Sequence, residues 1–413
     1  MVFARSKILC VVLLLILPAA RGAEQTPVRR DQAPALNLVL IIGDGMGAEH
    51  IRATSLFLNG RPGALFMQSA PHQGTVKTRA ANNPVTDSAA AATAMATGHK
   101  VNTGVLALAF PGSGGRLTTL VEHFAAQGRL TGLITTNMLA DATPAGFGSH
   151  AAGRKGYAEI SQVMLDEVRP NLLFGGSANK DPTRGRVGGI DEDMARAAGY
   201  TVVTDRKGLA APMDVKITHV AGLFGEAALP WEYDAQQAAK QGQPNPFDRY
   251  PHLSEMSLAA VEFLARPGKG FFLMIEGGLV DNSSHQGKTD RALAEVAELD
   301  RTVALVVAWA LPRKDSLVVA TADHETGGLE IVKANPAGVL PEVKWTTGGH
   351  TGVDVPIFAW GPGAEKFASK LDNTDIFRLL SGREPYPPKA VRETEAAPAP
   401  APAREPAGVG AGY

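Results

Sequence analysis

Six short apolar runs recur along the chain, each closed by glycine or a polar turn, with helical patterning between them. They are Leu36–Gly45 (LNLVLIIGDG), Leu130–Thr136 (LTGLITT), Asn171–Gly176 (NLLFGG), Gly270–Gly278 (GFFLMIEGG), Asp315–His324 (DSLVVATADH) and Val355–Gly363 (VPIFAWGPG). They are rich in Val, Leu and Ile, the content of strands buried on both faces. Helical periodicity fills Leu117–Gly128, Glu255–Ala265 and Asp290–Ala310. Strands alternating with helices predict an α/β fold, a mostly parallel central sheet with helices on both faces.

Functional groups in open parallel sheets gather beyond the carboxyl ends of the strands. Asp44 ends the first run, Glu276 and Asp281 end and follow the fourth, and Asp323 and His324 end the fifth. Two carboxylates about 4 Å apart repel by about 4 kcal/mol at an effective dielectric near 20. Four bare anions packed together would be prohibitive. Either they are spread apart or cations lie among them, and divalent ions are the economical solution.

The histidines favour cations selectively. Asp281 and His285, in DNSSH, are spaced to face the same way on a helical turn. Asp323 and His324 are adjacent, and His350 lies in a Gly/Thr loop, TTGGHTG. Carboxylate plus imidazole without thiolate suits Zn²⁺ in an open site, and oxygen-only ligands suit Mg²⁺. The only cysteine, Cys10, lies in an N-terminal targeting segment, so no Cys ligand or nucleophile is expected in the mature chain. His50, His72, His99, His123, His150, His219 and His252 read as ordinary surface or packing residues.

One more stretch is unusual: VTDSAAAATAMATG, Val85–Gly98, sets Ser88 directly after Asp87 at the mouth of an alanine-rich helix. A capped, closely packed helix explains it without chemistry. A helix N-terminus also carries roughly half a positive charge with free N–H groups, which suits a phosphoryl group held on a serine. Ser88 alone leaves both readings open.

The ends of the chain differ from its middle. Arg5 and Lys7 precede the apolar run Ile8–Leu17, then Pro18 and AARGA, the order of a signal peptide. Residues 1–23 are therefore expected to be removed, with cleavage after Gly22 or Ala23, and the protein is expected to be periplasmic or secreted. Residues 24–386 form the expected catalytic domain, and 387–413 a Pro/Ala-rich disordered tail. A formal net charge of −1 gives no reason to expect a nucleic-acid partner or an acidic membrane surface.

Six motifs, LIIGDGMG, VTDSAAAATAMATG, DATPAGFGSHAAGRKGY, FFLMIEGGLVDNSSH, VVATADHETGG and GGHTGVDVPIFAWGPG, resemble in order those of the alkaline phosphatases. They span roughly Asn37 to Gly382. The resemblance implies a three-layer α/β sandwich and hydrolysis of small phosphate monoesters through a phosphoserine. By that resemblance Ser88 is the nucleophile, Arg154 grips two phosphate oxygens, and Asp87 holds the arginine. One Zn²⁺ would take Asp281, His285 and His350. A second would take Asp44, Asp323 and His324, with Ser88 as fourth ligand. A Mg²⁺ would take Asp44, Thr143 and Glu276. Family members are commonly homodimers, but the sequence shows no interface.

The chain departs from the family at Asn282, where well-known bacterial members have lysine and animal members histidine. Asp141 keeps the bacterial choice, so it loses its lysine partner and is expected nearer the third ion, whose identity stays open. A phosphodiesterase on the same fold is the alternative enzyme, and an inactive metal or phosphate binder the alternative from another class. The GRKGY arginine favours monoesters, and no nucleophile or ligand is missing. Ala210–Tyr250 and Gly327–Thr347 show no clear strand pattern and read as insertions.

Overall fold

The computed structural model of the protein describes residues 35–180, 187–210 and 216–390. The expected signal segment and residues 391–413 lie outside the described residues. Residues 387–390 run against the body, with the Lys389 N–H donating to the Arg116 carbonyl at 2.9 Å.

The strands are β1 (Asn37–Gly43), β2 (His72–Lys77), β3 (Leu130–Met138), β4 (Leu172–Ser177), β5 (Thr201–Val203), β6 (Val220–Glu226), β7 (Phe271–Gly277), β8 (Ser316–Ala322), β9 (Glu325–Thr326), β10 (Leu329–Lys333), β11 (Glu342–Trp345), β12 (His350–Thr351), β13 (Val355–Trp360) and β14 (Lys370–Asp372). The helices are α1 (Ala48–Asn59), α2 (Ser88–Thr97), α3 (Leu120–Ala126), α4 (Ala142–Gly148), α5 (Tyr157–Val163), α6 (Glu192–Ala197), α7 (Arg206–Ala210), α8 (Glu232–Lys240), α9 (Leu253–Ala265), α10 (Leu279–His285), α11 (Thr289–Ala310) and α12 (Asp375–Ser381).

Ten strands form one sheet in the order β14-β2-β13-β8-β1-β7-β3-β4-β6-β5. All neighbours pair in parallel except β13, which runs antiparallel to β2 and β8. Every residue of β1, β7 and β8 is buried. Successive side chains point to opposite faces, so both faces of the central strands are covered. The α/β fold with a mostly parallel sheet is as the sequence predicts.

Both stretches read as insertions contain strands. β6 joins the main sheet between β4 and β5, and β10 and β11 form a separate hairpin. VAGLFGE was hard to read because its two glycines interrupt the apolar run. The hairpin is half exposed; β11 alternates charged with apolar residues, and an irregularity between Ile331 and Lys333 breaks that alternation in β10. The short edge strands β5 and β14, and β2 next to β14, also lack a long hydrophobic run of their own.

The alanine-rich segment is α2, and all ten of its residues are buried. Small side chains are needed because α4 lies close against it. A Cβ added at Gly146 would meet Ala92 Cβ at 2.7 Å and Thr93 N at 3.1 Å. Among the described residues, no helix is long and apolar enough to cross a membrane.

Candidate active site

The site is built where three adjacent parallel strands end. Gly43 of β1 aligns with Gly277 of β7 and Ala322 of β8. The next residues, Asp44 and Asp323, therefore leave the sheet side by side. Glu276 is the last residue but one of β7, and α10 follows at once with Asp281 and His285. Gly45 makes the turn with φ +71°, a conformation that favours glycine. Its N–H donates to Asp323 Oδ1 at 3.0 Å. A Cβ at Gly45 would lie 2.9 Å from Asp281 Oδ1.

Ser88 is the first residue of α2, and Asp87 is its N-cap. Asp87 Oδ1 accepts from Ala90 N at 3.1 Å and Gly104 N at 3.0 Å. Its Oδ2 accepts from Arg154 NH1 at 3.2 Å. Burial opposes the Asp87 charge, but Arg154 and the two backbone donors outweigh it and hold the carboxyl below its ordinary range. Arg154 NH2 donates to Asp141 Oδ1 at 3.4 Å, so the guanidinium is braced from two sides. Ser88 Oγ is buried 3.1 Å from His324 Nε2 and 3.4 Å from Asp44 Oδ1.

Ligand-type atoms of Asp44, Asp323 and His324 lie within 4.8 Å of one another, as do those of Asp281, His324 and His350. His285 joins the second trio, its Nε2 3.2 Å from Asp281 Oδ2 and 3.2 Å from His350 Nε2. His324 stands between the two groups and stacks on His350 at a centroid distance of 3.7 Å. Thr143, on α4, is buried beside Glu276 but not aligned for a hydrogen bond. The structure thus brings together every residue that the resemblance assigned.

The electrostatics of this cluster call for positive charge. Burial first, then Asp323, Asp281 and Glu276, push the Asp44 carboxyl well above its ordinary range. Burial, reinforced by Asp281, raises Asp323 to about 6. Burial, reinforced by Asp141 and Asp323, raises Glu276 to about 8 despite the hydroxyls of Thr135 and Thr143. Burial would raise Asp281 too, yet His285, His324 and His350 hold it well below the usual range. The Asp281 hydrogen bond lifts His285 to about 9, and burial lowers His324 to about 4.

The donor set fits divalent cations. Asp323 Oδ2 is buried without a hydrogen bond. His285 Nδ1 lies 2.7 Å from Gly348 O and His350 Nδ1 lies 2.9 Å from Thr86 O. A carbonyl only accepts, so each Nδ1 donates and both Nε2 atoms turn toward Asp281 with their lone pairs. Two such nitrogens 3.2 Å apart beside a carboxylate call for positive charge between them, which a proton on His285 supplies in the metal-free protein and a divalent cation would supply to both rings at once. Imidazole and carboxylate suit zinc, and the oxygen donors of Asp44, Thr143 and Glu276 suit magnesium.

Asn282 turns aside, its Nδ2 donating to Asn137 Oδ1 at 3.1 Å. Asp141, expected near the third ion, sits between Arg154 and Glu276. The sequence reading missed the residues that hold the carboxylates in place. Thr135 donates to Glu276, Thr326 donates to Asp281, and Gly45 supports Asp323. A lone Thr or Gly carries no spacing signal; LIIGDGMG contains Gly45 and ETGG contains Thr326, but neither motif assigns them a role.

Comparison with known proteins agrees with this geometry. The family model for alkaline phosphatase matches residues 35–340 and 333–382. A streptomycin-6-phosphate phosphatase from Streptomyces griseus is 33% identical, over 89% of this chain and 94% of its own. The alkaline phosphatase of Escherichia coli is 29% identical, over 86% and 88%. The solved alkaline phosphatase of the Antarctic bacterium TAB5 superposes with a TM-score of 0.70 at 26% identity, over 84% of this chain and 97% of that one. The Thermus thermophilus enzyme shares the fold, with a TM-score of 0.73 at 22% identity, over 90% and 98%. A buried serine among carboxylates and histidines, on a fold matched along nearly its whole length, makes this chain a phosphatase of the alkaline phosphatase family.

Proposed function

We propose that the protein hydrolyses small phosphate monoesters by transferring the phosphoryl group to Ser88 and then to water. The observation that carries this reading is the position of Ser88 Oγ, at the first residue of α2 and in contact with His324 and Asp44. Asp281, His285 and His350 would hold one zinc, Asp44, Asp323 and His324 a second, and Asp44, Thr143 and Glu276 a magnesium. When bound, these cations neutralise the carboxylates and stabilise the oxygen charges that develop during an in-line displacement. A variant of the TAB5 enzyme has been solved with Mg bound, which supports an ion of that kind here.

The chain's own residues supply the rest. The N-terminus of α2 presents N–H groups and a partial positive charge toward the phosphoryl group. Arg154, fixed by Asp87 and Asp141, offers a planar fork to two phosphate oxygens. The Ser88 Oγ–P bond forms as the ester P–O bond breaks, and the alcohol leaves. Water then cleaves the Ser88–phosphate bond and releases inorganic phosphate. Side chains of His285 and Arg154 are 38% and 26% exposed, which leaves the phosphoryl side of the site open to solvent.

Residues 1–23 act in this reading as an export signal, so the mature enzyme works in the periplasm or outside the cell. The test is phosphate release from p-nitrophenyl phosphate at alkaline pH. Activity is expected to need zinc and magnesium, to vanish on chelation and to fall by at least about 10³-fold in Ser88→Ala. An active Ser88→Ala enzyme would refute the serine route. Streptomycin 6-phosphate is the first natural monoester to try, on the strength of the Streptomyces relative.

A further inference from the structure

A second group of ligand-type side chains converges away from the phosphatase site, where α8 and α9 begin against α11. Glu232 starts α8, His252 precedes α9, and Glu295 and Glu298 come from α11. Ligand atoms of Glu232, His252 and Glu298 lie within 4.8 Å of one another. His252 Nδ1 is 2.7 Å from Glu232 Oε1. Glu295 Oε1 accepts from Glu232 N and Glu298 Oε1 from Ser254 N, each at 2.9 Å. All three glutamates are less than a tenth exposed.

The cluster is short of positive charge. Among the described residues, no lysine or arginine pairs with any of the three glutamates. The nearby Arg291 is engaged by Asp234 and Arg206 by Glu255. The N-termini of α8 and α9 contribute roughly half a charge each. Even with His252 protonated, three ionised carboxylates leave an excess. Burial, then Glu232, pushes both Glu295 and Glu298 above their ordinary range.

An independent feature points into the same space. Ser254 Oγ is fully buried, lies beside the Glu298 carboxyl, and makes no aligned hydrogen bond. The imidazole is also prepared. His252 stacks on Phe247 at a centroid distance of 4.0 Å and is 24% exposed at its side chain, which gives an entry path. A carboxylate cluster that includes an imidazole favours a zinc-class ion over Mg²⁺ or Ca²⁺.

We infer that Glu232, His252 and Glu298 bind a divalent transition-metal cation, with zinc as the matching ion, at a structural site separate from the catalytic centre. The ion replaces the proton shared by His252 and Glu232. It ties the segment between α8 and α9 to α11, which in turn packs on the helix that carries Asp281 and His285.

The experiment measures bound zinc in the whole mature protein after stripping, reloading with zinc and removal of excess, in wild type, Glu298→Gln and His252→Gln. The amide oxygen introduced by Glu298→Gln keeps the acceptor for Ser254 N, so the α9 start is preserved. The expected result is a loss of about one zinc equivalent per chain in each variant, with p-nitrophenyl phosphate turnover retained. Equal zinc content in all three proteins would overturn the proposal and leave a protonated His252–Glu232 pair. Anomalous scattering at the zinc edge from wild-type crystals decides the same point without variants. Density among Glu232, His252 and Glu298 supports the site, and density confined to the catalytic cluster refutes it.

Discussion

At the residue scale, the sharpest specification is the Asp87–Arg154–Asp141 brace. Lysine keeps the charge of arginine but not its planar fork, and cannot meet Asp87 and Asp141 while also offering the two donors that the proposed phosphate grip requires. Arg154→Lys is expected to lower kcat/KM for a phosphate monoester by about 10–100-fold, or roughly 1.4–2.7 kcal/mol. Steady-state kinetics would show most of the loss in KM, with zinc content unchanged; unaltered KM would contradict this role. The sequence left Arg154 indistinguishable from a surface cation until the resemblance assigned it. Its partners are 67 and 13 positions away in the chain, and no periodicity links them. Asp87 was legible as a helix cap, because capping is a local property.

At the element scale, α2 and α4 set the distance between Ser88 and Thr143. Both helices are built from small residues so that their backbones approach closely. In Gly146→Ala the new Cβ strikes Ala92 Cβ and the Thr93 backbone, neither of which can rotate away. The helix-propensity gain of up to about 1 kcal/mol is smaller than the roughly 1–3 kcal/mol typical of overpacking. The variant should melt below wild type and lose activity without any change to a ligand residue. An unchanged Tm and unchanged turnover would show that the two helices are free to separate. Elements with a continuous apolar run, β1, β7 and β8, were legible from their residues alone. β6 and the short edge strands were not, because their conformation comes from pairing to neighbours and not from local pattern.

At the scale of the whole molecule, the ends of β1, β7 and β8 and the first turn of α10 bring acids together that repel without cations. The folded-state carboxyls of Asp323 and Glu276 are raised to about 6 and 8, and Asp44 is raised as well. A raised carboxyl favours folding while protonated, and that contribution fades as pH rises through the folded-state value. Metal-free protein should therefore lose stability from about pH 4, where the unfolded carboxyls ionise, up to about pH 8, where the folded Glu276 ionises, whereas metal-loaded protein should not. The gap in Tm between loaded and chelated samples is expected to widen as pH rises to about 8 and then to level off; a constant or narrowing gap below about pH 8 would contradict the cation-held cluster. The acids were legible at the strand ends, but their number and order around His324 emerge only from the parallel register of β8, β1 and β7. The central claim is that this assembly delivers a phosphoryl group to Ser88. The most direct measurement is to quench the zinc- and magnesium-loaded enzyme with acid during turnover of ³²P-labelled monoester and to map the labelled peptide. The account predicts label on Ser88 in wild type and none in Ser88→Ala. Hydrolysis that proceeds with no labelled peptide, or with label that persists in Ser88→Ala, would contradict it.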